Sequence, residues 1–430
     1  MSETFENIEV IYTEYNGETK CLHFVFEVNN TDIDDGDFWE FTCLDSEQQP
    51  VSNSWVEAAN FKPLSTEFNA TIIMIKNTHH LDYGLSHYSA DAELKRILPL
   101  KTFLTAIPET TAGIIGVNES KDGSELELLF WSGDMNTKCQ FGKTLSNAEY
   151  RSVTQDKYVG KAKSSLPLNR ENLTLIPVIG NGQRFSNLKP FNSINFPSSI
   201  GLSHLKNIHE GESAWIVGNG PSVRTEDLNL LQDSITFCFN RFYLAHDDTV
   251  LRATYTISGD EQMINDFGQE IVDCNPGKVF LANSTAPDVN GDYFWLRQVS
   301  VFPSLFSFEP EYYVTPGGSS LYVAMQLAYY MGIKNLFIYG ADFSFTFKRN
   351  LGEKDAFRKA SGDGNHFIKN YRSGKNWCPP SHRNIANSFY AARKLFEYNG
   401  GGVFNATRGG ILEIFERVSF EDALVKGEKK

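Results

Sequence analysis

Two periodicities divide the chain. Over the first 150 residues, apolar and polar positions alternate at a spacing of two. Cys21-Leu-His-Phe-Val-Phe-Glu-Val28 and Glu125-Leu-Glu-Leu-Leu-Phe-Trp131 show it, and residues 71–75 form a short apolar run. Such alternation predicts half-buried strands, and turns such as Tyr15-Asn-Gly-Glu18 and Lys121-Asp-Gly-Ser124 separate them. Residues 1–150 therefore read as a mostly β domain, with one helix expected over residues 89–98. Residues 151–205 hold Pro167, Pro177, Pro190 and Pro197 among polar turns. They read as a connector with one or two short elements.

From Glu212 the pattern changes. Continuous apolar runs at 214–217, 235–239, 253–257, 279–282, 335–339 and 402–405 predict strands buried on both faces. Helical stretches begin near Glu226 and cover 319–331 and 387–398. Alternating strands and helices predict an α/β fold, a Rossmann-like parallel sheet over residues 206–430.

Composition narrows the function classes. The chain has 430 residues, 41% of them hydrophobic, enough for two or three domains with sizeable cores. Its formal charge of −14 argues against nucleic acid and anionic lipid as partners. Cys21, Cys43, Cys139, Cys238, Cys274 and Cys378 include no CxxC pair, which is neither a zinc pattern nor a disulfide framework. The acidic start lacks the order of a signal peptide, and no apolar run is long enough to span a membrane. A cytoplasmic chain without a membrane span is expected. Adjacent His79 and His80 would point apart on a strand, so no metal site is expected there.

Five motifs can carry chemistry. The first predicted strand of the α/β half runs into Gly218-Asn219-Gly220-Pro221-Ser222, a turn that lets backbone amides approach a phosphate. It matches neither the dinucleotide fingerprint nor the Walker loop, and a tight turn without ligand is the simpler alternative. At the end of the next strand, Asn240 can bind a ribose, base or sugar hydroxyl, and Arg241 a phosphate or carboxylate. Thr315-Pro-Gly317-Gly318-Ser319-Ser320 opens a helix and can hold an anion or a base edge; simple N-capping is the alternative. Asp342 follows the 335–339 strand, where a carboxylate can face the ligand crevice of an open sheet. The polar stretch 348–383 holds His366, Arg372, Lys375, His382 and Arg383 and reads as a lid or acceptor-binding segment. His366 and His382 are its candidate general bases.

Taken in order, these motifs make residues 212–424 resemble the Campylobacter-type bacterial sialyltransferases that use CMP-sialic acid. They also resemble the related domain of motility accessory factors and of the archaeal MptE-like pterin diphosphokinases. The shared residues are Gly218-Asn-Gly-Pro-Ser222, Cys238-Phe-Asn-Arg-Phe-Tyr243, Gly317-Gly-Ser-Ser320 and Gly340-Ala-Asp-Phe343. The ending Phe404-Asn-Ala-Thr-Arg-Gly-Gly410 is similar to the motility-factor signature. The resemblance implies a glycosyltransferase that passes a CMP-activated acidic keto sugar to a glycan or protein acceptor. It places Asn219, Gly220, Ser222 and Asn240 on the CMP part of the donor and makes His382 the base. No cofactor beyond the donor is implied; Mg²⁺ enters only on the diphosphokinase branch, which would use ATP with Asp342 as a ligand. A catalytically silent nucleotide-binding module and a homo-oligomer both stay open. Two positions depart from the sialyltransferases. Phe343-Ser-Phe-Thr-Phe347 lacks their tyrosines, and Tyr312 or Tyr313 stands in place of an Arg.

Overall fold

The computed structural model describes residues 201–300, 304–343, 358–359, 364–372, 375–377, 382–410 and 412–428. Before residue 201 it describes 8–16, 21–28, 38–44, 62–63, 70–76, 82–89, 91, 93–99, 112–119, 125–132, 135–141, 144–154, 157–165 and 175–178. The chain divides into two compact units. One comprises Met1–Glu109, Asp342–Ala356 and Gly410–Ile414; the other comprises Thr110–Ala341, Phe357–Gly409 and Phe415–Lys430.

The first unit is antiparallel. Ile8–Asn16, Cys21–Val28, Ala70–Lys76 and Lys62–Pro63 pair in that order in one sheet. Phe38–Leu44, Asp82–Tyr88 and Leu94–Pro99 form a second. The helix expected over 89–98 is absent. Ser89 and Glu93 close a hairpin loop through Ser89 N–H to Glu93 O at 2.8 Å and Glu93 N–H to Ser89 Oγ at 3.0 Å. Leu94–Pro99 then pairs back on Asp82–Tyr88. Cross-strand pairing overrode a short stretch of helix-forming residues, as tertiary context commonly does.

The second unit carries the α/β core and more strands than the sequence announced. Ala148–Thr154, Lys157–Ser165, Glu125–Ser132 and Ala112–Glu119 form an antiparallel sheet, so the expected connector contains a long hairpin. The compact units part near residue 109, whereas the sequence pattern placed a boundary near 150. Gly160 explains the close packing within this sheet. A Cβ there would lie 2.3 Å from the Phe130 ring.

The core is an eight-stranded, fully parallel sheet. Its strands are β1 (Ser213–Val217), β2 (Thr236–Phe239), β3 (Tyr255–Ser258), β4 (Lys278–Asn283), β5 (Phe294–Arg297), β6 (Asn335–Tyr339), β7 (Gly402–Asn405) and β8 (Glu416–Arg417). Their order is β5-β4-β3-β2-β1-β6-β7-β8. The order reverses between β1 and β6, and that switch point is where open α/β sheets bind ligands.

Among the described residues, five α-helices accompany the sheet: α1 (Thr225–Asn229), α2 (Glu261–Cys274), α3 (Ser320–Tyr330), α4 (His382–Tyr398) and α5 (Phe420–Glu428). On one face Trp215, Val217, Phe337 and Tyr339 pack with Leu228, Phe420 and Ala423. By strand alternation Ile216, Ile338, Phe237 and Phe239 point to the other face, and α3 packs across β1, β2 and β3. Residues Tyr322–Ala328 of α3 are all buried, so this helix is covered on every side. Helix α2 carries Met263, Ile264, Ile271 and Val272 on one stripe and is capped by Asp260, whose carboxylate accepts from Met263 N–H at 3.1 Å. Among the described residues, no helix is long and apolar enough to cross a membrane.

Candidate functional site

The 218–222 loop leaves β1 at the switch point, and its glycines answer first to β6. Gly218 N–H donates to Tyr339 O at 2.7 Å, and Gly220 N–H to Gly340 O at 2.9 Å. A Cβ on Gly218 would lie 2.4 Å from Gly340 O, so β1 and β6 can approach only if this residue is glycine. Two loop amides offered to a phosphate by the sequence reading are thus committed to the sheet. Pro221 is exposed, and Ser222 is half-buried.

Asn219 is the side chain the loop aims along the carboxyl ends of the strands. Its Nδ2 donates to Phe239 O at the end of β2 (3.1 Å) and to the Tyr371 hydroxyl (2.9 Å). Its Oδ1 is buried and has no hydrogen-bond partner among the described residues. Asn240, one residue past β2, adopts the left-handed conformation with φ 53°. Its Oδ1 accepts from Ser258 Oγ at 2.8 Å, and its side chain also binds the Tyr371 hydroxyl. Tyr371 therefore joins the two carboxamides that the resemblance assigned to the donor. Burial pushes its phenol up to about 12, so at neutral pH it keeps its proton.

Residues 364–372 ride over this pair. Phe367 N–H donates to Asn219 O at 3.0 Å. His366 is half-buried and stacks on Tyr371, ring centres 4.0 Å apart and planes at 20°. Arg372 is 3% exposed and donates to Asp260 Oδ2 at 2.9 Å, with Asp266 3.7 Å away. Arg241 serves the same segment. It donates to Tyr371 O at 2.7 Å and to the Tyr243 hydroxyl at 3.0 Å, and lies 3.9 Å over the Phe267 ring. Its guanidinium is occupied within the chain, where the sequence reading offered it to a phosphate.

The Gly-Gly-Ser-Ser helix start also turns inward. Thr315 is fully buried; its N–H donates to Gln326 Oε1 at 3.1 Å and its hydroxyl donates to Leu305 O. Gly317 and Gly318 take φ of 55° and 78°, where side chains are strained. A Cβ on Gly317 would collide with Tyr322 at 2.1 Å. Ser319 caps α3, its Oγ accepting from Leu321 N–H at 3.2 Å. Ser320 Oγ accepts from Gly259 N–H at 3.1 Å, tying α3 to the end of β3. These serines act as caps and ties, the simpler of the two expected roles.

The remaining candidates fall elsewhere. His382 begins α4, so the helix expected from 387 starts five residues earlier; its side chain is outside the described ones. Asp342 is buried and packs with the first unit, where a Cβ on Gly410 would lie 2.4 Å from its Cα. Residues 344–347, His79 and His80 lie outside the described residues.

One network had no sequence signal. Asp227, on α1, is 6% exposed and receives Arg408 through Nε at 2.5 Å and Nη2 at 2.9 Å. The Tyr339 hydroxyl donates to its Oδ2 at 2.5 Å. Burial alone would raise the Asp227 carboxyl; hydrogen bonds from Arg408 and Tyr339 outweigh it and hold it below the ordinary value. Nearly two hundred residues separate Asp227 from Arg408, so only the fold could join them.

No family model and no curated protein matches the chain. Among solved structures, the type III pullulan hydrolase from Thermococcus kodakarensis is 10% identical with a TM-score of 0.14. That alignment covers 73% of this chain and 57% of the other, and a likeness so slight carries no argument. The site's own geometry is what speaks to function.

Proposed function

We propose that the parallel-sheet unit binds a nucleotide sugar at the β1–β6 switch point. It then transfers a CMP-activated acidic keto sugar to a glycan or protein acceptor. The observation that carries this reading is the Asn219–Tyr371–Asn240 group at the carboxyl ends of β1 and β2, with Asn219 Oδ1 buried and unpartnered. A buried acceptor without a donor costs about 1–3 kcal/mol, and a ribose hydroxyl or base amino group would recover it. In the transfer, an acceptor oxygen bonds to the anomeric carbon as the bond from that carbon to the CMP phosphate oxygen breaks. His382 takes the hydroxyl proton, and the CMP leaves as the phosphate monoester.

The test is CMP release from CMP-sugars by wild type and His382→Ala. Release by wild type and a loss of at least a hundredfold in the variant is expected; equal release from both removes His382 as base.

A second reading is nucleotide binding without turnover. Arg241, Ser319 and Ser320 favour it, since each is held by its own chain. It forecasts a thermal shift with CMP and no release from any CMP-sugar. A shift with ATP/Mg²⁺ in place of CMP would favour the diphosphokinase branch.

A further inference from the structure

Tyr339 touches the 218–224 loop at both ends. Its carbonyl accepts from Gly218 N–H where the loop begins, and its hydroxyl accepts from Arg224 N–H at 2.9 Å where the loop enters α1. The N-cap residue of α1, Arg224, makes no side-chain cap, and the Tyr339 hydroxyl satisfies its N–H. A phenol that accepts at one lone pair must send its proton elsewhere. Here the proton goes to Asp227 Oδ2. Asp227 in turn is fixed by the two-point contact with Arg408, which also reaches Glu421 at 2.6 Å. The chain of contacts runs from Glu421 on α5, through Arg408 and Asp227, to the last residue of β6, and from there to both ends of the loop that presents Asn219.

We propose that Tyr339, with the Asp227–Arg408 pair behind it, is a positioning device that sets the Asn219 loop for its ligand. This rests on the nucleotide-binding reading of the site and adds residues that touch no ligand themselves. A single residue gripping both ends of a short loop, one by its carbonyl and the other by its hydroxyl, limits its hinge freedom, and a site placed within a fraction of an ångström depends on such support. The Asp227–Arg408 pair matters because it orients the phenol: without a fixed carboxylate, the hydroxyl can rotate away from Arg224 N–H.

The experiment uses the full chain, comparing wild type with Tyr339→Phe by hydrogen exchange and by titration with CMP. Phe keeps the ring packed against Phe420 and removes only the hydroxyl. Exchange of the 218–224 amides is expected to rise about tenfold while β3 amides keep their wild-type rates. CMP affinity is expected to fall about tenfold. In an Asn219→Ala background the hydroxyl deletion should bring no further loss, because the loop acts through Asn219. Arg408→Met should reproduce the loss and Arg408→Lys recover part of it. Unchanged loop exchange, or a rise spread evenly over the sheet, overturns the proposal. A local rise in exchange in Tyr339→Phe, with a wild-type protein that binds no CMP, upholds the clamp on the loop and removes the nucleotide reading instead.

Discussion

Replacing Asp227 by Asn tests the internal network with little change of shape. The carboxylate is nearly buried and meets Arg408 at two points and the Tyr339 hydroxyl at a third. An amide can accept from only one of these sides; its NH₂ faces a donor on the other. Removing one partner of a buried ion pair costs about 3–5 kcal/mol. Arg408 is 23% exposed and keeps Glu421, which places the cost near the lower end, about 3 kcal/mol. For a cooperative unit of about three hundred residues, that lowers Tm by roughly 5 °C. Urea unfolding followed by fluorescence of Trp215, which packs on Phe337 and Phe420, reads the change.

The pH dependence has a definite sign. The folded Asp227 carboxyl lies below its unfolded value, so its stabilisation is fully present above about pH 4 and fades as pH falls through the folded pKa. The gap between wild type and Asp227→Asn should be equal at pH 7 and pH 5 and narrow only under stronger acid. A double-mutant cycle with Arg408→Met should give a coupling of about 2 kcal/mol. Additivity within about 0.5 kcal/mol, or a gap that widens on acidification, would refute the assignment.

Other outcomes follow from the same geometry. Gly340→Ala places a Cβ 2.2 Å from Val223 Cγ2 and 2.9 Å from Gly218 O at φ 74° and should cost about 2–3 kcal/mol in urea unfolding, because the backbone conformation strains an L side chain and Gly218 O cannot yield freely. Asn219→Ala strands Phe239 O and the Tyr371 hydroxyl and removes the Oδ1 acceptor offered to the ligand, and should weaken CMP binding roughly tenfold by calorimetry, as the loss of one hydrogen bond predicts. Arg372→Met leaves Asp260 and Asp266 without their buried cation and should expose 364–372 to proteolysis at least tenfold faster, the wild-type rate being the contrary result.

Six of the eight strands of the α/β half were legible because strands buried on both faces read as continuous apolar runs; the short edge strands β5 and β8 were not foreseen. β6 and β7 coincide with the runs at 335–339 and 402–405. Helix α2 was missed although its stripe is clear in hindsight, since Asp and Glu at its start resemble a turn. The motif residues were also legible, but their duties were not. Ser319, Ser320, Arg241 and Gly218 carry side chains or amides that suit a ligand equally well as a neighbouring strand, and only packing shows which partner is within reach. The sequence by itself determined the α/β class and the strand-to-loop placement of Asn219 and Asn240. Tertiary structure alone decided that Tyr371 joins the two asparagines across more than a hundred residues and that Arg408 meets Asp227. Periodicity records which face of an element is buried; it holds no record of which distant side chain lies against that face, because that depends on strand order and on the crossover that brings the chain back.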